Sequence, residues 1–372
     1  MTVVSGTHPE FDYPMNEYPM NKWVFEDTPG RFEVDLSHSY VQGRRLSDLT
    51  MPDDLKLDYG ADRGTAELRE EIAQRYHGPA ESVLVTHGGQ EALALLYSIL
   101  LEPGDQVITF RPGWRQSWET PTLMGCQVDA IPLSGDFEID VDVVARAATS
   151  RLRIIVVVSP CNPTGRRARP ATLARLVEIA ERHDAYLVLD QNYESDLTPP
   201  VPAGSDRIIS VSGLSKVYGF PGLRIGWMYG PQGLVQACAD RKHLTSISNS
   251  VLCEALACEV LRKSEYYLSD FQAQVSEGLE ILQKWVSGHG DLLRLTPPEG
   301  TPFAWIQLLD GSDSMAFCWQ ALDRGVMLMP AETLGGASGF RVGIAIPAAE
   351  LCDGLNRLED MIRARHISNG AF

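Results

Sequence analysis

A chain of 372 residues exceeds the size at which one hydrophobic core stops growing, so two packed units are expected. Hydrophobic residues at 44% and charged residues at 22% exclude a mainly disordered or fibrous protein. With 32 Lys and Arg against 49 Asp and Glu, a formal charge of -17 opposes general attraction to nucleic acid or anionic membranes.

Seven cysteines form no CxxC pair and no zinc-like spacing, so we expect reduced, mostly buried thiols and no metal site. Residues 1–19 lack a basic segment followed by an apolar core, and no window approaches the apolar length of a membrane span. A cytoplasmic protein is the expectation.

Residues 1–45, rich in Pro, Tyr, Asn and acidic side chains, predict an extended arm with one short helix near Trp23. From Thr65 the pattern becomes regular: Leu68, Ile72 and Tyr76 recur at helical spacing behind a Thr cap. Short apolar runs then alternate with helical stretches: SVLVTH, EALALLYSILL, QVITF, RIIVVVSP, ATLARLVEIAERH, AYLVLD, RIISVS and IGWMYG. Runs such as IIVVV and YLVLD lack polar alternation, as strands covered on both faces by helices should.

The segment TPPVPAG, 198–204, predicts an irregular loop. Beyond Gly230 a long helical region extends to about Trp285. FAWIQL, MAFCWQALDRG, VMLMP, FRVGIAIP and a last helix LCDGLNRLEDMIRARH then predict a smaller α+β unit. The expected fold class is α/β. A mostly parallel central sheet sandwiched by helices spans 46–240, and a connecting helix with a small α+β domain, 241–372, is joined by the arm, 1–45.

Four segments could carry chemistry. In VSGLSKVYGFPGLRIGW, Lys216 follows a strand in a Ser- and Gly-rich turn, and Arg224 lies eight residues on. The lysine has the reach that Schiff-base chemistry requires, although an ordinary surface lysine fits the same residues. In SPCNPTG, Asn162 precedes Pro163 at a strand end, where α/β folds bind ligands; a plain turn reads equally well. In AYLVLDQNYES, Asp190 ends an apolar strand, with Tyr193 three residues later. Buried alone that carboxylate would be costly, so it needs a cationic or hydrogen-bonding partner unless it merely caps a loop. In VLVTHGGQEALALL, Gly88 and Gly89 precede a helix whose first N–H groups could close around a phosphate, or simply make a tight connection. No GxGxxG fingerprint or Walker sequence is present.

Together these segments, in this order and strand-end context over residues 59–230, resemble the fold-type I pyridoxal 5'-phosphate (PLP) enzymes, specifically the class I/II aminotransferases. FRVGIAIP resembles that family's substrate-arginine strand. The resemblance implies that Lys216 forms the internal aldimine, that Asp190 pairs with the pyridinium nitrogen, and that Asn162 and Tyr193 hydrogen-bond the cofactor's phenolic oxygen. It implies further that Gly89, Gln90 and Arg224 hold the phosphate, that Trp114 stacks on the ring, that Tyr59 reaches the site from the other subunit of a homodimer, and that Arg341 binds the α-carboxylate of an amino acid substrate. Two departures are visible: MPAETLGG stands where the family usually has a Pro-Gly stretch before the last strand, and the second concerns the phosphate. Where many relatives carry a phosphate-binding Ser or Thr three residues before the lysine, this chain has Gly213, leaving Ser212 or Ser215 as replacements.

The resemblance implies an aminotransferase acting through aldimine and quinonoid intermediates. The alternative is a specialised biosynthetic enzyme on the same scaffold, of the capreomycidine-synthase-like kind, suggested by the Trp-containing opening that leads into Asp35-Leu36-Ser37. The same constellation serves cyclisation, oxidation, decarboxylation and replacement. A PLP-binding transcription regulator would need a helix-turn-helix that is not visible, and a nicotinamide dehydrogenase would need the missing glycine fingerprint. Side-chain contacts are expected in the loops Ser37–Gly43 and Pro330–Gly336.

Overall fold

A computed structural model describes residues 18–197 and 205–369; the first part of the arm and the 198–204 loop lie outside the described residues. After a one-turn helix, Pro19–Asn21, and a wide turn, Lys22–Asp27, the arm forms a two-residue strand, β1 (Val34–Asp35). The main sheet is built from β2 (Val83–Thr86), β3 (Gln106–Arg111), β4 (Gln127–Pro132), β5 (Leu152–Val158), β6 (Tyr186–Asp190), β7 (Ile208–Gly213) and β8 (Gly226–Tyr229). Their spatial order is β2-β8-β7-β6-β5-β3-β4. Strands β3 to β7 are parallel and β8 runs antiparallel to both its neighbours.

The apolar runs are continuous because both faces are covered. On β5 and β6, Ile154, Val156 and Val188 pack under the helices Gly89–Leu100 and Gln232–Lys242. Their sequence neighbours Ile155, Val157, Leu187 and Leu189 face the helices Val141–Ala147 and Pro170–Arg182 on the other side. This is the two-residue alternation of a strand with core on both sides. Each such aliphatic side chain contributes roughly 1.5–3 kcal/mol by leaving water. The helix Ala66–Arg75 starts where the Thr65 hydroxyl accepts the Leu68 N–H, at 3.4 Å.

The remaining elements form a smaller assembly. Strands β9 (Leu293–Thr296), β10 (Phe303–Leu308), β12 (Met329–Pro330) and β13 (Gly339–Gly343) make an antiparallel sheet in the order β12-β13-β10-β9. Strand β11 (Val326–Met327) instead pairs in parallel with β1 of the arm. The apolar run VMLMP is therefore divided between two sheets. The arm is tied down by the Trp23 indole N–H, which donates to Leu328 O at 2.8 Å, and by Gly343 N–H on Leu36 O at 2.7 Å.

The long helical region is three helices: Gln232–Lys242, Val251–Arg262 and Ser264–Ser287. The first break falls around Ile247, whose φ of 60° no α-helix allows.

Candidate active site

The carboxyl ends of β5, β6 and β7 deliver Asn162, Asp190 and Lys216 to one cleft. The helix Gly89–Leu100 closes a second wall and the arm a third. Gly88, Gly89, Gln90, Trp114, Asn162, Asp190, Tyr193, Ser215, Lys216 and Arg224 all line this cleft. Of the residues to which the resemblance gives a role in the site, only Tyr59 and Arg341 do not.

Asp190 is buried, and burial pushes its carboxyl above the ordinary carboxylate range. Two hydrogen bonds from Asn192 and the nearby Lys216 charge act in the opposite direction. Its Oδ1 accepts the Asn192 backbone N–H at 3.0 Å and the Asn192 Nδ2–H at 2.7 Å. The partner that this carboxylate requires is thus an amide two residues away.

Lys216 donates from Nζ to the Ser39 hydroxyl at 3.0 Å and lies 5.6 Å from the centre of the Tyr193 ring. Tyr193 is buried and stands edge-on to Phe303, 4.9 Å between centroids. The amine is therefore held between the arm and an aromatic wall.

Arg341, in the middle of β13, is buried and lies directly behind Asn162. Its Nη1 donates to Asn162 Oδ1 at 2.7 Å and its Nη2 to Ser37 O at 2.6 Å, while Nε is buried without a partner. Burial pulls its pKa down, but a guanidinium remains charged. A planar cation with an unmet donor, in contact with a cleft residue, suits a carboxylate.

At the other end of the cleft, the helix beginning at Gly89 has no side-chain cap, and Gly88 ahead of it adopts φ 81°. The Arg224 guanidinium lies against this turn, with Nη2 on His87 O at 3.3 Å, and a Cβ at Gly88 would come within 2.7 Å of that nitrogen. Free amide groups, a helix dipole and an arginine together make an anion cradle. The Trp114 indole N–H donates to Gln90 Oε1 at 3.1 Å, fixing that ring against the cradle.

Of the two serines suggested as substitutes for the hydroxyl missing at Gly213, Ser212 is buried and donates to Gln191 O at 3.2 Å, whereas Ser215 lines the cleft. Tyr59 is 86% exposed and makes no part of its own cleft.

Sequence reasoning missed Asn192, Ser39, Tyr40 and Pro221. An Asn two residues after a strand-ending Asp is a local hydrogen-bonding pattern that could have drawn attention to Asn192. Ser39 and Tyr40 fall in the loop expected to touch substrate, but nothing local shows that Ser39 meets Lys216.

The cleft suits PLP: an uncapped helix end with arginine for a phosphate, a buried acid for a ring N–H, amide and phenol groups for the ring oxygen, and an amine for an aldehyde. Comparison with known proteins agrees. The family described as Aminotransferase class I and II matches residues 54–358. Capreomycidine synthase of Streptomyces vinaceus is 29% identical over 318 residues, covering 83% of this chain and 82% of that protein. A PLP-dependent aminotransferase from Streptococcus suis superposes with a TM-score of 0.87 at 26% identity, over 94% of this chain and 98% of that one. The PLP-dependent cyclase OrfR superposes with a TM-score of 0.82 at 30% identity, over 89% and 93% respectively.

Proposed function

Because the chain belongs to the class I and II aminotransferase family and uses PLP, we propose that it moves the amino group of an α-amino acid, with Lys216 as the residue that binds the cofactor and handles the proton. The observation that carries this reading is the convergence of Lys216, Asp190, Tyr193 and Asn162 on one cleft, with the guanidinium of Arg341 hydrogen-bonded to Asn162.

PLP, when bound, supplies a ring that takes up the electron pair released as a bond to the substrate's α-carbon breaks. Everything else falls to the chain. Gly89, Gln90, Ser215 and Arg224 would hold the phosphate, Trp114 would pack against the ring, and Asn162 and Tyr193 would hydrogen-bond the ring oxygen. Asp190, as a carboxylate, would pair with the ring nitrogen. A cation opposite it offsets the cost of burying its charge.

Arg341 exchanges its present acceptors, Asn162 Oδ1 and Ser37 O, for the substrate α-carboxylate. Lys216 would hold the cofactor's aldehyde carbon and, as a free amine, would be the base that takes the proton from the substrate's α-carbon and carries it on its Nζ. Ser39, already an acceptor for its Nζ, keeps the amine within reach.

In this reading residues 46–240 are the PLP-binding domain, and 241–372 with the arm 1–45 form the smaller one. The enzyme is a homodimer in which Tyr59 of the partner subunit completes the phosphate site. No helix among the described residues is long and apolar enough to cross a membrane, and seven unpaired thiols support a reducing, cytoplasmic setting.

A second reading is favoured by one finding: a capreomycidine synthase and a cyclase are at least as similar to this chain in sequence as the aminotransferase neighbour. A cyclase on this scaffold would release its product with PLP regenerated.

Single turnover with a panel of amino acids separates the two. Pyridoxamine phosphate with a keto acid supports transamination; regenerated PLP with a cyclic or otherwise rearranged product rejects it. Borohydride reduction followed by peptide mapping should find the cofactor on Lys216, and a cofactor fixed elsewhere, or nowhere, would overturn the lysine's role.

A further inference from the structure

Two glycines, Gly89 and Gly213, border the side chain of Asn192, and a third, Gly226, packs against the helix start beside them. A Cβ at Gly89 would lie 2.7 Å from Asn192 Nδ2. One at Gly213 would lie 2.9 Å from Ile225 O and 3.0 Å from Gly226 Cα, and only 3.5 Å from Asn192 Oδ1. One at Gly226 would strike the backbone of Gly88 and Gly89 at 2.4 Å. Strand β8 thus sits so close to β7 and to the helix start that position 213 has no room for a hydroxyl-bearing side chain. The amide of Asn192 approaches the same space from the loop after β6.

That amide is committed on one side only. Its Nδ2 donates to Asp190 Oδ1, and its backbone N–H donates to the same oxygen. A primary amide nitrogen carries two hydrogens, so a second donor remains at the amino end of the helix Gly89–Leu100. Asn192 lines the cleft together with Gly88, Gly89 and Arg224. The other groups that face Asp190 are the Lys216 amine, from the turn after β7, and Tyr97, from the helix above. Neither donates a hydrogen bond to it.

We propose that Asn192 is the positioning residue of the cofactor site: it fixes the Asp190 carboxylate with two donors and places a neutral donor beside the phosphate cradle, where Gly213 can supply none. This rests on the reading of the cleft as the PLP site. It accounts together for an Asn after Gln191, a Gly at 213 and a Gly at 89, because a larger residue at either glycine would displace the backbone or the amide.

The test uses the full chain, stripped of cofactor and titrated with PLP. Asn192→Ala should weaken PLP binding by about tenfold, the scale of a lost hydrogen bond to a charged group. With the side-chain donor gone and only the backbone N–H left, Asp190 is protonated more readily, the ring loses part of its positive charge, and the imine is protonated more easily. The pH midpoint of the holoprotein's visible band should therefore move upward.

Asn192→Asp, isosteric and able to keep the turn, should bind PLP more weakly still, since it removes the amide donor and adds charge beside a phosphate. It also serves if the alanine variant fails to fold. Binding within twofold of wild type and an unmoved midpoint, in whichever variant folds, would overturn the proposal. A wild-type chain that binds no PLP would instead overturn the site reading itself.

Discussion

Asp190 shows what a buried acid without a cation does to a cofactor-free enzyme. Its carboxyl is pushed up from the ordinary 3.8 because desolvation outweighs the donors of Asn192 and the charge of Lys216. A carboxyl whose folded pKa lies above its unfolded one adds stability at pH below the unfolded value and loses it as pH rises through the folded value. Above that window the apo chain carries a buried carboxylate that a cationic ring would neutralise. Asp190→Asn should therefore melt at or above wild type in the apo form at neutral pH, and lose that advantage toward acid. In the same variant PLP affinity should fall by about 10- to 100-fold, as for a lost charged hydrogen bond. Melting curves across pH, paired with PLP titrations, check both halves. Wild-type affinity in this variant would remove Asp190 from the site.

At the scale of elements, legibility followed burial. Strands β5 and β6 were plain because helices on both faces leave uninterrupted runs, IIVVV and YLVLD. Strand β4 passed unread: it is the edge strand, half-exposed, with Asp129 among its apolar residues. VMLMP read as one strand because nothing local reveals that the arm claims its first half. The motif residues were legible by resemblance, since each sits in a short stretch that by itself resembles the family's. Asn192 was not, because its role depends on β8 crowding Gly213, a matter of sheet register. That crowding makes Gly226 a sensitive point. Gly226→Ala puts a methyl 2.4 Å from Gly88 C and Gly89 N, so the helix start must shift. A loss of about 1–3 kcal/mol from overpacking should accompany weaker PLP binding. Gly222→Ala, with open space around the new methyl, should change neither stability nor binding. Equal behaviour of the two variants would deny the close approach that denies Gly213 a side chain.

The whole molecule leaves one cleft residue of the sequence reading unaccounted for within a single chain. Leu57 and Tyr59 are 79% and 86% exposed, and Gly60 beside them lies against Ser248, Asn249 and Val251. The neighbouring segment exposes Leu244 at 77% and Ile247 at 44%. Large apolar side chains gathered from two segments are what an association surface presents, and a chain of charge -17 needs such a surface to offset self-repulsion on pairing. If two copies meet there and Tyr59 serves the other copy's phosphate cradle, the defect is exchangeable. Tyr59→Ala alone should bind PLP weakly, and Lys216→Ala alone should yield no borohydride-fixed cofactor. Refolded together, a mixed pair contains one cleft with both Lys216 and the opposite chain's Tyr59, and another with neither. The mixture should then regain tight, reducible PLP in about half the clefts of the mixed pairs, by the symmetry of a two-fold dimer. A mixture whose binding is only the sum of the two variants would place Tyr59's action within its own chain or remove it from the site, and a monomer on sedimentation would exclude a shared cleft altogether.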